Sequence, residues 1–435
     1  MYHIYNPKAE TMPVAQLREL QSERLADMVR RVWDNVPYMR RKLEQAGVTP
    51  DDIRTIDDLT KLPFTVKQDL RDNYPFGLFA VPMEEVVRIH ASSGTTGKQT
   101  VVGYTAADMA LWGEVMARTL GAGGVGRGDI GHISYGYGLF TGGLGGNLGS
   151  ETIGAATIPA STGNTRRQAN ILVDFKPTFL LCTPSYALTI AEFLEENGIK
   201  LSDLSLKVGF FGAEPWTENM RREIERRLGL TAFDIYGLSE VIGPGVAYEC
   251  EAHNGLHVNE DHFIIEIIDP DTGKPVPDGT PGEVCFTCVT KQALPLIRYR
   301  TRDVAAKLPG QCVCGRTSCR ISKPSGRTDD MLIIRGVNVF PSQIESVLLE
   351  MGGTAPFFQL IVERINNLDR LTVLVELTEE AFSSEVKVLE DMSRSIHRAI
   401  ESTLGIAVEV KLVVPKSITR AEGKAVRVID KRDIK

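Results

Sequence analysis

Three short apolar stretches, Thr178-Phe179-Leu180-Leu181-Cys182, Lys207-Val208-Gly209-Phe210-Phe211 and Thr231-Ala232-Phe233-Asp234-Ile235-Tyr236, decide the reading of this chain. Each has the length and flanking turn residues of a buried strand. Amphipathic segments at Pro184–Asn197 and Thr217–Leu228 separate them, and a third, Thr165–Asp174, precedes the first. Strands alternating with helices at this spacing predict a parallel sheet covered by helices. The fold class expected is therefore α/β, with a large N-terminal domain of layered sheets covered by helices and a small mobile α+β C-terminal domain.

Upstream, Val14 to Gly47 reads as one long amphipathic helix or two, with Leu17, Leu20, Leu25, Met28, Val29 and Val32 at helical spacing. Asp58–Tyr74 reads as a turn and a short helix, and Ala106–Leu120 as a helix. Gly121–Gly149, dense in glycine, is expected to be loop-rich. Downstream, strands at Phe263–Ile268 and Gly282–Thr290 have no helix between them and predict a mostly antiparallel subdomain. A boundary near Gly326-Arg327-Thr328-Asp329 divides the chain into residues 1–328 and 329–435. The second part reads as helix Pro341–Met351, strands near Phe358–Val362 and Leu371–Leu377, helix Ser384–Thr403, strand Ala407–Val414 and a basic loop.

Composition excludes several classes. At 435 residues the chain exceeds one ordinary core. A hydrophobic content of 43% with 24% charged residues is that of a soluble globular protein. The formal charge of −7 argues against broad binding to nucleic acid or anionic membranes. No apolar run reaches the ~18 residues of a membrane span, and Met1–Pro7 lacks the basic and apolar regions of a secretory signal. The seven cysteines cluster late, which suits reduced thiols better than a disulfide framework. A cytoplasmic enzyme is the expectation.

The chemistry is concentrated in ordered blocks. Ser92-Ser93-Gly94-Thr95-Thr96-Gly97-Lys98 combines hydroxyls, glycines and an ammonium, all suited to phosphate oxygens. Val86, Val87 and Ile89 precede it and Val101 and Val102 follow, so the loop should join two extended segments. It is not a Walker loop, because Lys98 is followed by Gln99 and a β-branched run rather than a helix opened by Ser or Thr. Gly212-Ala213-Glu214-Pro215 and Tyr236-Gly237-Leu238-Ser239-Glu240 end predicted strands, where α/β sheets bind ligands. There Tyr236 could stack on a ring and Glu240 could hold a divalent metal. In Tyr299-Arg300-Thr301-Arg302-Asp303, Asp303 is suited to accept two ribose hydroxyls. Gly326-Arg327-Thr328-Asp329-Asp330 looks like a hinge, and Gly423-Lys424 sits in a short polar loop.

Each block alone has a plain structural reading, but together and in this order they resemble the adenylate-forming superfamily. Arg298–Asp303, Asp329–Pro341 and Glu260-Asp261-His262-Phe263 are similar, more narrowly, to phenylacetate–coenzyme A ligases, from end to end of the chain. The resemblance implies acyl-adenylate formation from a carboxylate and ATP, then thiolysis by coenzyme A. In the Ser92–Lys98 loop, Ser93, Thr95, Thr96 and Lys98 would cradle the phosphates and the leaving pyrophosphate, with Ser92, Gly94 and Gly97 completing the ATP site. Ala213, Glu214 and Pro215 would line the adenine pocket with Tyr236 against the base, and Asp234, Gly237 and Ser239 would also bind ATP. Glu240 would ligate Mg²⁺, Asp303 the ribose, and Arg327 ribose or phosphate. Asp329 would be the pivot, and Lys424 would reach both the carboxylate and the α-phosphate. The catalytic set that the resemblance implies is Lys424, Glu240 and Lys98. A homodimer is expected.

The aryl-binding loop of that family falls at Tyr135-Gly136-Tyr137-Gly138-Leu139-Phe140, where Tyr135 and Phe140 would wall a flat slot beside Gly136, with Ile235 as floor. No basic residue in the loop would bind a second carboxylate, which favours a monocarboxylic aryl acid: phenylacetate, a hydroxylated or indolic relative, or a benzoate. Cys312 and Cys314, with Cys250 and either His253 or His257, have the chemistry of a closed structural zinc site. Cys319 is an alternative ligand, while Cys285 and Cys288 point to opposite faces of a strand. Zinc-carrying members of the resembled family favour His257. Two alternatives stand beside the ligase: an adenylating enzyme that serves a carrier-protein thiol, and a nucleotide-binding regulatory protein without turnover.

Overall fold

The computed structural model describes residues 2–92, 99–327, 332–335, 337–365, 368–383 and 385–432. Among these, nine strands form the central sheet. Ala156–Ile158, Ile130–Ile133, Phe179–Cys182, Val208–Gly212 and Thr231–Leu238 run parallel in that spatial order. Gly243–Glu249, Leu256–Val258, Arg320–Ile321 and Lys307–Leu308 then extend it antiparallel. The helices between the parallel strands are Thr165–Asp174, Pro184–Glu196 and Glu218–Leu228. Each differs from its expected bounds by no more than a residue, because Thr217 N-caps the last by accepting the Met220 N–H and Pro184 occupies the first turn of the second.

The antiparallel expectation also holds. Phe263–Ile268, Gly282–Cys288, Tyr299–Ala305 and Gly326–Arg327 form a second sheet. Val86–Ser92 and Thr100–Thr105 pair antiparallel on either side of the Ser/Thr/Gly loop. Val14–Gly47 resolves into two helices, Val14–Asn35 and Pro37–Gln45, divided where Pro37 lacks an N–H to continue the first.

The loop-rich reading of Gly121–Gly149 is wrong. This segment contains the strand Ile130–Ile133 and the start of the helix Thr141–Ile153. Glycine is a poor helix former, but here it is needed for close packing against the helix Ala106–Ala122. A Cβ on Gly145 would come within 2.5 Å of the Trp112 ring, and one on Gly149 within 2.4 Å of the Met116 Cβ. Trp112 is fully buried and donates from its indole to the Pro244 carbonyl at 3.0 Å. Tertiary packing overrides local propensity at this point.

The smaller C-terminal domain has a four-stranded sheet ordered Glu409–Val413, Leu368–Leu377, Thr354–Ile365, Val428–Asp430. Helices Pro341–Met351 and Val386–Leu404 cover it through Ile344, Leu348, Ile396 and Ile400. The strand Val428–Asp430 was hidden in a tail that reads as a basic loop. It pairs parallel with Thr354–Ile365, a partner far upstream that no local pattern reveals.

Candidate active site

A cavity of about 420 Å³ opens at the carboxyl ends of the parallel strands, within the size range of small-molecule sites. One wall follows the strand Val208–Gly212. Ala213 takes φ +69°, a conformation uncommon for a residue with a Cβ, and turns the chain so that Glu214, Pro215 and Trp216 face the cavity. Asp234 to Glu240 form the second wall. Burial pushes the Asp234 carboxyl up to about 7, although Lys323 lies 4.0 Å away and favours its charge.

Across the cavity, buried Asp303 accepts the Tyr236 hydroxyl proton at 2.5 Å. This joins two residues separated by more than sixty positions at one edge of the site. The Ser239 and Thr141 hydroxyls are hydrogen-bonded at 2.9 Å. Tyr135, Phe140 and Ile235 line the same space. The Tyr135 hydroxyl is buried with no hydrogen-bond partner among the described residues. Gly136 is not in the lining; its carbonyl instead accepts the Gly143 N–H at the start of the glycine-rich helix.

Two basic residues that sequence reading passed over attend Glu240. Lys67, at the start of the helix Lys67–Asp72, lines the cavity with its ammonium 3.7 Å from the buried Glu240 carboxylate. Lys291 is buried behind it, donates to the Glu240 carbonyl at 3.2 Å and sits 4.5 Å above the Tyr104 ring. Burial lowers Lys291 to about 8. Neither lysine belongs to a phosphate-loop pattern, and only the fold brings them to Glu240.

Lys424 enters the cavity from the C-terminal domain, with its ammonium 6.0 Å from the Phe140 ring centre. Its loop is fastened to the large domain. The Ala425 N–H donates to the Glu214 carboxylate at 3.0 Å, whose other oxygen accepts the Ser185 N–H at 2.7 Å. Thr183 donates to the Gly423 carbonyl at 3.0 Å. Glu214 therefore has a docking partner that its place in a predicted adenine wall did not foreshadow. Ser93, Gly94, Thr95, Thr96, Gly97, Lys98 and Asp329 lie outside the described residues, as does the Arg327 side chain. The Arg327 backbone pairs with Asp303.

A second constellation sits apart from the cavity. The ligand atoms of Cys250, His257, Cys312 and Cys314 lie within 4.8 Å of one another, all four residues buried. Cys250 and Cys312 sulfurs are 3.8 Å apart, and Cys314 is 3.4 Å from His257 Nε2. Hydrogen bonding from Cys250 and from His257 pulls the Cys314 thiol well below the ordinary thiol range, against the opposing effect of burial. The spacing left His253 and His257 open, and geometry separates them: the His253 ring packs on Phe233 and lies 3.4 Å from Glu249. Cys319 is not in the cluster; its N–H donates to Glu260 at 2.6 Å. Among the described residues no helix is long and apolar enough to cross a membrane.

The model of the AMP-binding enzyme family matches residues 19–289, and that of the AMP-binding enzyme C-terminal domain matches residues 336–432. The phenylacetate–coenzyme A ligase of Escherichia coli (strain K12) is 53% identical over 427 residues, covering 98% of this chain and 97% of that protein. The chain belongs to the phenylacetate–coenzyme A ligase family of AMP-binding enzymes. Another relative in that family, the phenylacetate–coenzyme A ligase of Thermus thermophilus, is 48% identical, covering 99% of this chain and all of that protein. Among solved structures, 2-hydroxyisobutyryl-CoA ligase in the postadenylation state with 2-HIB-AMP matches with a TM-score of 0.93 at 30% identity, over 98% of this chain and 92% of that one. The same ligase with 2-HIB-AMP and CoA in the thioesterification state matches over the same shares with a TM-score of 0.72. The adenylate-forming fold expected from the motif order is thus borne out, with its large N-terminal and smaller C-terminal domains.

Proposed function

We propose that this chain joins an aryl monocarboxylic acid, phenylacetate first, to coenzyme A in two steps within the one cavity. In the first, a carboxylate oxygen attacks the α-phosphorus of ATP, and the bond to the β-phosphate breaks to release pyrophosphate. In the second, the coenzyme A sulfur attacks the acyl carbon, loses its proton, and AMP departs with the bonding pair. The observation that carries the reading is Lys424 set beside Phe140 in the cavity that the Tyr236–Asp303 pair also lines, in a chain about half identical to phenylacetate–coenzyme A ligases throughout.

Each residue then has a task. Tyr135, Phe140 and Ile235 hold the ring in an apolar slot. Ala213 and Pro215 flank the base with Tyr236, which also orients Asp303 toward the ribose hydroxyls; Glu214 seats the Lys424 loop. Asp234, Gly237 and Ser239 complete the nucleotide wall, and Ser92 borders it. We assign Ser93, Gly94, Thr95, Thr96, Gly97 and Lys98 to the phosphates and Arg327 to the ribose or phosphate on sequence alone. The adenylation step brings two anions together, so an ammonium aimed at the oxygens where charge accumulates is worth more than one contacting only the ground state. Lys424 supplies it. Lys67 and Lys291 fix Glu240, the carboxylate suited to hold Mg²⁺; that ion, when bound, would neutralise phosphate charge.

The Cys250, His257, Cys312 and Cys314 set fits zinc: three sulfurs and one imidazole, buried and close, in the proportions of a closed tetrahedral site. With four protein ligands the ion would hold structure and leave no position for substrate. We place the domain boundary after residue 328 with Asp329 as pivot, and propose a cytoplasmic homodimer.

The direct test measures pyrophosphate release and thioester formation over a panel of aryl acids with ATP and coenzyme A. Pyrophosphate release that depends on phenylacetate, with a thioester formed only when coenzyme A is present, supports the reading. ATP binding without turnover on any acid would reduce the protein to a nucleotide binder. Product on a carrier-protein thiol but not on coenzyme A would reassign the acceptor.

Asp303→Ala is expected to raise the Michaelis constant for ATP by about 100-fold or more while kcat changes much less. The ribose bonds it makes are charge-assisted, each worth about 1.5–3 kcal/mol, and are equally present in ground and transition states. Steady-state kinetics at varied ATP checks this; an unchanged constant would remove Asp303 from the ribose.

A further inference from the structure

The segment from Lys416 to Ala425 lies along one helix of the large domain, Pro184–Glu196, and is pinned to it from end to end. Lys416 pairs with Glu196 at 2.5 Å near the helix C-terminus. Gly423 and Ala425 are held beyond the N-terminus through Thr183 and through Glu214, which also accepts the Ser185 N–H. Midway stands Arg420, whose guanidinium reaches two carboxylates at once. Its Nε and Nη2 donate to both oxygens of Glu192 on the helix, each at 2.7 Å. Its Nη1 and Nη2 donate to both oxygens of Glu376, at 2.8 and 2.7 Å. The plane also stacks on Phe357, 3.5 Å from the ring centre.

The two partners differ in kind. Glu376 is buried, lies on the C-terminal domain's own strand Leu368–Leu377, and accepts the Ile418 N–H as well. It is a permanent anchor that fixes the fork before any docking. Glu192 belongs to the large domain and its side chain is 23% exposed. It meets Arg420 in the arrangement in which Lys424 enters the cavity. A planar fork held in advance loses little freedom on gaining a bidentate partner, so this pair is stronger than an ordinary surface ion pair.

We infer that Arg420 and Glu192 form a latch: Arg420 is a positioning residue that holds the C-terminal domain in the orientation placing Lys424 for adenylation, and the latch must open for any other orientation. The inference rests on the two-step reading above. It draws on the chain matching 2-hydroxyisobutyryl-CoA ligase better in the postadenylation state than in the thioesterification state. A latch that favours one orientation should raise the first half-reaction and do nothing for, or oppose, the second.

The test separates the steps in Glu192→Gln, chosen because it leaves the Arg420–Glu376 anchor intact and lies on a partly exposed helix face. Acid-dependent pyrophosphate release is measured for adenylation, and thioester formation from synthetic phenylacetyl-adenylate plus coenzyme A, without ATP, for the second step. The expected result is a 5- to 20-fold fall in the first rate, an unchanged or faster second rate, and an unaltered melting temperature. Glu192→Asp, which keeps the charge on a shorter arm, should recover part of the loss. Equal falls in both rates, or no change in either, would overturn the latch while leaving the ligase reading standing. A parent protein that neither adenylates any aryl acid nor uses the synthetic adenylate would sink the ligase reading, and the latch with it.

Discussion

Lys424→Ala is expected to abolish acid-dependent pyrophosphate release, with a fall of about 100- to 1,000-fold, the scale seen when one preorganised electrostatic donor is removed from a developing charge. ATP binding should change little, since Tyr236, Asp303 and the walls from Ala213 to Glu240 all lie on the large domain. Thioester formation from a supplied adenylate should also be spared, because the α-phosphate charge that the ammonium stabilises has already been passed. Truncation of Lys424 removes no interdomain backbone contact: Gly423 and Ala425, its neighbours, make those through their carbonyl and N–H. A folded variant that adenylates near the parent rate would remove this lysine from the chemistry. Rapid-quench measurement of the adenylate distinguishes the two outcomes.

The second large effect is on stability. Purified protein should contain one zinc per chain by elemental analysis, and chelation should lower the melting temperature. An ion bound by the folded state alone stabilises it by mass action, about 4 kcal/mol at roughly a thousandfold excess over the dissociation constant. Cys314→Ser should reproduce the loss. Cys314 contacts both Cys250 and His257 and has the thiol most strongly favoured as thiolate, so serine would remove a sulfur donor and leave the other three groups buried around a vacant ligand position. Cys319→Ser should be neutral by comparison. Activity should decline only as the fold does, because a closed four-ligand site offers nothing to substrate. Metal-free protein with an unchanged melting curve would make the cluster a set of ordinary thiols.

What the sequence determined by itself was what local chemistry encodes. Helix and strand periodicity between Thr165 and Leu238 reproduced three of the five parallel strands and the helices between them to within a residue or two, because caps such as Thr217 and breakers such as Pro184 act over one turn of chain, whereas Ile130–Ile133 and Ala156–Ile158 were not read. The order of the motif blocks gave the family, since each block is contiguous. The tertiary structure decided whatever depends on distant partners. The helix Thr141–Ile153 forms despite its glycines because Trp112 and Met116 press against it. His257 rather than His253 joins the cysteines because Leu256–Val258 pairs with Arg320–Ile321, bringing it beside the Cys312–Cys314 turn. Lys67 and Lys291 meet Glu240 from opposite directions along the chain. Glu214, Glu192 and Thr183 receive the segment carrying Lys424 from more than two hundred residues away. Nothing within a window of sequence specifies such meetings. They follow from burying several apolar surfaces at once, and only the folded chain satisfies all of them together.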